Sequence, residues 1–157
     1  MKIRFAQKED VSAILHLIKG IADYEKLLHE VTATEAILYD SLFVKKAAEV
    51  LLGEKDGEII GFALFFHNFS TFTGKRGLYL EDLYVLPQYR HQGLGKQFFA
   101  ELMKIAHERD CGRMEWICLD WNMPAIRFYK EYIRAISLDD WTLYRLGEKD
   151  ISLIPER

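Results

Sequence analysis

The stretch Gln88-Tyr89-Arg90-His91-Gln92-Gly93-Leu94-Gly95-Lys96 sets two glycines and two cations between an apolar run and a long amphipathic one. A glycine-rich turn that opens a helix leaves backbone N–H groups unpaired, and the helix dipole adds partial positive charge there. Such a turn suits a phosphate or pyrophosphate, with Arg90 and Lys96 as flanking cations; taken alone it is also a plain strand-to-helix turn. Two better-known phosphate loops fail on spacing. Arg90 stands at the first glycine of a Walker loop and Gln97 follows Lys96, while Phe98 stands at the third glycine of a dinucleotide fingerprint. Upstream, Glu81 and Asp82 lie side by side between Leu78-Tyr79-Leu80 and Leu83-Tyr84-Val85. Strand alternation would send one of the two carboxylates into an apolar layer, so a β-bulge that re-aims it and frees a backbone N–H is expected. The plainer alternative is one solvated carboxylate and one paired with Arg or Lys. Downstream comes Trp121-Asn122-Met123-Pro124-Ala125, then Phe128-Tyr129. Asn122 suits a helix N-cap and Pro124 the first turn. Tyr129, two turns on, returns to the same face with a phenol, although such a residue on its own is more often core. His16, His29, His67, His91 and His107 show no metal-ligand spacing, and no serine sits in a nucleophile elbow.

The elements that must hold these groups follow from periodicity. Ile3 to Ala6 reads as a strand, and Asp10 as the cap of a helix carrying Ile14, Leu17, Ile18 and Ile21. A capping box at Thr32-Ala33-Thr34-Glu35 opens a helix to about Phe43. Ala48 to Glu54 and Glu58 to Phe69 are strands joined by an Asp56-Gly57 hairpin turn, and Leu78 to Leu86 is a third, stopped by Pro87. A long helix follows from Leu94, with Gly112 as its stop. Met114 to Leu119 is a strand, the Asn122 helix runs to about Ile133, and Ala135 to Leu138 and Trp141 to Leu146 close the chain as strands. Hairpins and strand-helix-strand crossovers together give one α/β domain over 1–157 with a mixed sheet.

Composition bounds the function. The chain has 157 residues with a net charge of −3, and half its residues are hydrophobic. No basic run suggests nucleic acid or a membrane surface, and no apolar segment is long enough to span a bilayer. Cys111 and Cys118 form no metal or disulfide pattern, so they are expected as buried reduced thiols in a cytoplasmic protein.

Taken together, these segments resemble the GNAT N-acetyltransferase superfamily, whose coenzyme A loop reads Arg/Gln-x-x-Gly-x-Gly/Ala. Arg90, Gly93 and Gly95 match it, between the fourth strand and the third helix. Within it the chain is similar to the diamine (spermidine/spermine) and thialysine acetyltransferases, through Tyr24-Glu25, Tyr79-Leu80-Glu81-Asp82, Tyr89-Arg90, Trp121-Asn122 and Phe128-Tyr129-Lys130. The resemblance implies a mostly antiparallel sheet with splayed strands four and five, about four flanking helices, acetyl-CoA as donor and a homodimer. It implies that Leu83, Tyr84 and Val85 pair with the pantetheine arm. Arg90, His91, Gln92, Gly93, Leu94, Gly95 and Lys96 would hold the pyrophosphate, while Asn122, Pro124 and Ala125 would line the arm's other side. Tyr129 would protonate the departing thiolate, and Glu81 would take the amine's proton through water. Tyr24, Glu25, Asp82 and one of Asp139 or Asp140 would line the amine pocket.

Two departures refine this. His67 to Thr73 carries no acid where polyamine enzymes have one, which favours a diamine or lysine analogue over a long polycation. The segment after Tyr129-Lys130 lacks the relatives' glycine and is one residue longer. Acetylation of a protein N-terminus or lysine, and a non-catalytic acyl-CoA sensor, are the alternatives. Tyr129 and Glu81 together favour catalysis.

Overall fold

A computed structural model describes residues 1–152. The expected span of 1–157 runs past them, and residues 153–157 lie outside the described residues. Five strands form one sheet in sequence order: β1 (Lys2–Phe5), β2 (Glu49–Lys55), β3 (Glu58–Ser70), β4 (Lys75–Val85) and β5 (Arg113–Glu115). The first four pair antiparallel, and β5 joins β4 in parallel. Asp56 and Gly57 turn the β2–β3 hairpin with φ of 52° and 81°, the left-handed pair a two-residue turn requires.

The sheet is covered on both faces. Against one lies α3 (Leu94–Glu108), where Phe98, Phe99 and Leu102 pack on Leu51, Phe65, Leu78 and Leu80. Against the other lie α1 (Val11–Tyr24) and α2 (Glu35–Tyr39), where Ile14, Leu17, Leu38 and Leu42 pack on Leu52, Phe62 and Tyr84. Phe62, Phe65, Phe98 and Phe99 are fully enclosed, and burying each contributes about 1.5–3 kcal/mol. Residues Asp40–Val44 continue α2 as a π turn. After β5 come α4 (Met123–Arg127), its π-helical continuation Phe128–Ile133, and α5 (Glu148–Ile151), which periodicity did not suggest. Among the described residues no helix is long and apolar enough to cross a membrane.

Several boundaries differ from expectation. Asp10 stands at the start of α1, but its carboxylate is taken by Arg4 and by the Gln7 N–H instead of the helix. The α2 cap is Thr34, whose Oγ1 accepts the Ile37 N–H at 3.2 Å, so Thr32 lies outside. Asp110, at φ 53°, ends α3 before Gly112 is reached. β5 stops at Glu115, well short of Leu119. The two expected C-terminal strands do not form. Arg134 (φ 61°) turns the chain out of the π segment, and Ile136, Trp141, Leu143, Tyr144 and Leu146 are exposed. Alternation marks a strand only where a sheet edge is present to pair with it, and among the described residues none lies against that segment.

Candidate active site

The register of β4 builds the site. Leu64 lies opposite Asp82 and Phe65 opposite Leu80, which leaves Glu81 without a partner. That is a β-bulge where two adjacent carboxylates called for one. Leu78 and Leu80 face the α3 core, and after the bulge Leu83 and Val85 pack against that same core. Asp82 therefore shares the α1 side with Tyr84, itself buried in the opposite core. Unbroken alternation from Leu80 would have buried Asp82 under α3. Glu81, at the crest, is exposed, and Asp82 is half-buried.

The pairing of β4 with β5 ends at Tyr79 opposite Glu115. Beyond it the chains part, and a cleft of about 220 Å³ opens. Glu81, Asp82, Leu83, Tyr84 and Val85 form one wall, Tyr24 and Glu25 close it from the end of α1, and Asn122, Pro124, Ala125 and Tyr129 form the other side. Leu86 N–H bonds to Ile60 O across β3, so alternation turns the N–H and C=O of Leu83 and Val85 to the open edge. Val85 O there accepts Arg90 Nε at 3.0 Å. The Arg90 guanidinium stacks over Tyr24 at 4.6 Å and Tyr84 at 5.3 Å. Tyr24 Oη donates to Asn122 Oδ1 at 3.1 Å, and the same oxygen caps α4 through Ala125 N–H at 3.4 Å. One amide thus ties α1 to the far wall.

Tyr129 is the second residue of the π turn, its ring packed on Trp116, Phe128 and Phe99 at centroid distances of 5.2, 5.5 and 5.8 Å. Burial first, then the charges of Cys118, Glu25 and Asp82, push its phenol well above the usual tyrosine range. Burial, reinforced by Glu81 and Glu25, pushes Asp82 up to about 6. Burial alone raises Glu25. Ionisation of Asp82 and Glu25 is therefore disfavoured in the cleft, and a cation entering beside them relieves that cost.

The glycine loop lies at the N-terminus of α3. His91 (φ 61°) and Gly93 (φ 74°) are both left-handed, and Gly93 occupies the helix cap. Gln92 accepts from Lys55 at 3.3 Å, Leu94 is buried, Gly95 faces the Phe128 ring, and the Lys96 ammonium sits 3.8 Å from the Tyr132 ring. Of this loop only Arg90 lines the cleft. Asp139 and Asp140 are not brought to it; both are exposed in the segment after the π turn. Trp116, Ile117 and Cys118 do line it and were not foreseen as site residues. Their signal was positional, since they lie in the segment expected to be the strand that parts from Glu81–Val85. Cys118 is half-buried and opens on the cleft, and Cys111 is half-buried too, so neither is the enclosed thiol expected. Burial, with Glu25 and Asp120, raises the Cys118 thiol and keeps it a poor nucleophile.

A model of the acetyltransferase (GNAT) family matches residues 13–132. The chain is 36% identical over 138 residues to the thialysine N-epsilon-acetyltransferase of Mus musculus, covering 82% of this chain and 81% of that one. It is 31% identical over 191 residues to the L-ornithine N5-acetyltransferase of Arabidopsis thaliana, covering 92% and 83%. A ribosomal-protein-alanine N-acetyltransferase from Brucella melitensis biovar Abortus 2308 shares the fold at a TM-score of 0.75 and 22% identity, over 94% of this chain and 99% of that one. With the bulged strand, the parted sheet and the glycine loop, these similarities make the chain a member of the acetyltransferase (GNAT) family and an acetyl-transferring enzyme.

Proposed function

We propose that the enzyme transfers the acetyl group of acetyl-CoA to a primary amine of a small molecule of diamine or lysine-analogue type, by direct attack with both substrates bound. The observation that carries this reading is one cleft holding an open backbone edge, a half-buried phenol and three carboxyls. The family relatives named for thialysine and L-ornithine, both compact amines, support the acceptor class.

The chain's own groups fit the donor. The exposed N–H and C=O of Leu83 and Val85 offer the ladder an extended amide-bearing arm can take. Binding there exchanges Arg90 for another donor at Val85 O and frees its guanidinium for the loop, where His91 to Lys96 present amides and charge to phosphate. At the other end, Glu25 and Asp82 line the pocket that draws in an ammonium, and Glu81 takes its proton through water. The Leu83 N–H faces the carbonyl oxygen on which negative charge develops. Tyr129 keeps its proton through neutral pH and gives it to the leaving sulfur. Holding both reactants in one cleft supplies proximity.

A thiol-release assay with acetyl-CoA against diamines, thialysine, ornithine and peptides tests the reading. Turnover on the small amines and none on peptides supports it. Tight coenzyme A binding without turnover on any acceptor would instead make the domain a sensor. A second copy of the chain is the proposed cover for the exposed apolar row from Ile136 to Leu146. Light scattering should give twice 18.4 kDa, and the Trp141→Asp, Leu143→Asp pair should give 18.4 kDa.

A further inference from the structure

The end of α1 sets two neighbouring charges in different places. Lys26 is left-handed at φ 63°. Its N–H bonds to Asp23 O at 3.0 Å, and the Leu27 N–H bonds to Ala22 O at 2.7 Å. This pair of bonds closes a helix at a position that glycine usually fills. The chain reverses there, so the adjacent side chains part. Glu25 lines the cleft, while the Lys26 ammonium stands over the Trp121 ring at 5.9 Å. Trp121 is exposed, its ring 6.0 Å from that of Tyr24, and it precedes Asn122; Tyr24 and Asn122 both line the cleft. Lys26 is thus at the rim, exposed, and forms no ion pair among the described residues. Resting on the acetyltransferase reading above, we infer that Lys26 receives a carboxylate at the far end of the acceptor, so that the preferred substrate is a small amino acid acetylated on its side-chain amine and not a plain diamine.

The sign of charge changes from the cleft to its rim. Glu25, Glu81 and Asp82 line the inside, and Lys26 stands outside them. A ligand that leads with an ammonium and trails a carboxylate meets opposite charge at both ends. A diamine meets it only at the leading end and carries its second ammonium to Lys26. In an α-amino acid the carboxylate offsets the α-ammonium, so the tail meets Lys26 without net repulsion. The Trp121 ring positions the lysine without neutralising it, which leaves its charge to a ligand. Arg90, the other cation at the cleft, is committed to Val85 O and to the Tyr24 and Tyr84 rings.

A lysine in the last turn of a helix also complements the helix dipole, and the test separates that plain capping role from substrate selection. The quantity measured is kcat/KM with ornithine divided by kcat/KM with ornithinamide, which lacks the carboxylate. Lys26→Arg should keep the wild-type ratio. Lys26→Gln should lower it about two- to fivefold, the range for one exposed charge pair, and Lys26→Glu should lower it by about tenfold. The change should appear in KM and shrink as salt is raised. Lys26→Gln should also raise kcat/KM with 1,4-diaminobutane by about twofold. Lys26→Gly relieves the left-handed strain, so it should melt higher and still lose the ratio. A pure cap predicts the higher melt with the ratio intact, and that result overturns the inference. So does a wild-type enzyme that prefers 1,4-diaminobutane to ornithine, or a ratio unchanged in Lys26→Glu. Calorimetry of ornithine and ornithinamide with the coenzyme A complex reads the same preference without turnover: the wild type should favour ornithine, Lys26→Glu should not, and equal preferences overturn the inference. Absence of turnover by the wild-type enzyme on every amine would instead fail the acetyltransferase reading.

Discussion

Asp82→Asn should make the protein more stable, and only where Asp82 would be charged. In the folded chain burial and the charges of Glu81 and Glu25 hold the carboxyl's proton up to about 6, against 3.8 when free. Between those values the folded state binds more protons than the unfolded one, so stability falls as pH rises through that window and stays low above it. Each tenfold difference in acidity is worth about 1.4 kcal/mol. Ionised Asp82 thus costs the fold on the order of 3 kcal/mol at pH 8, and roughly 0.5 kcal/mol at pH 4. Asparagine keeps the shape and removes the titration. Thermal melts of wild type and variant should nearly coincide at pH 4 and separate by about 5–10 °C at pH 8, the variant higher, for a chain of this size. A separation independent of pH, or a variant less stable at pH 8, would refute the claim that Asp82 sits in a charge-disfavouring cleft.

Tyr129→Phe keeps the ring contacts with Phe99, Trp116 and Phe128 and deletes the transferable proton. Turnover should fall about 10²-fold with little change in melting, and a donor with a more acidic thiol should regain part of the rate. Gly93→Ala meets no neighbour but must hold φ 74°, whereas a Cβ on Gly95 stands 3.4 Å from the Phe128 ring with no such strain. Melting should show Gly93→Ala losing about 1 kcal/mol or more and Gly95→Ala much less, while calorimetry should show coenzyme A binding weakened in the first. Arg134→Gly relieves a left-handed non-glycine and should raise the melting temperature by about 2–4 °C per kcal/mol gained.

The meander and its two covering layers were readable because their determinants are local. The Asp56-Gly57 turn fixes the β2–β3 pairing as far as a bulge at Ile60, the run from Leu94 to Ala106 carries one apolar stripe, and the chain between Lys75 and Val85 is apolar enough to be central. What failed were positions where two local solutions compete. Asp10 could cap α1 or pair with Arg4, and a bidentate guanidinium outcompetes a cap. Thr32 and Thr34 each begin a cap motif, and Thr34 alone lies one residue before Glu35, where α2 starts. The C-terminal alternation from Ile136 to Leu146 is a strand pattern that meets no sheet edge among the described residues, so the local sequence could not decide it.

The site was readable for a different reason: chemistry that is awkward in a regular element announces itself. Adjacent carboxylates inside an apolar strand are tolerable only with a bulge, and the bulge is there. Sequence could not say which carboxylate the bulge would turn inward, because that depends on which residue is the unpaired one, a register set by β3 at Leu64 and Phe65. The segment after Tyr129-Lys130, expected to run one residue longer than in the family, poses the same kind of problem. A π turn holds one residue more than an α turn over the same length, and Phe128–Ile133 is such a turn. Arg134 then takes the left-handed exit that a glycine would take without strain. Tyr129 packs on Trp116 early in that π turn, and beyond Arg134 the chain leaves in a new direction. Asp139 and Asp140 lie on that departing segment, which is why a carry-over by motif brought Tyr129 to the cleft and left those two outside it.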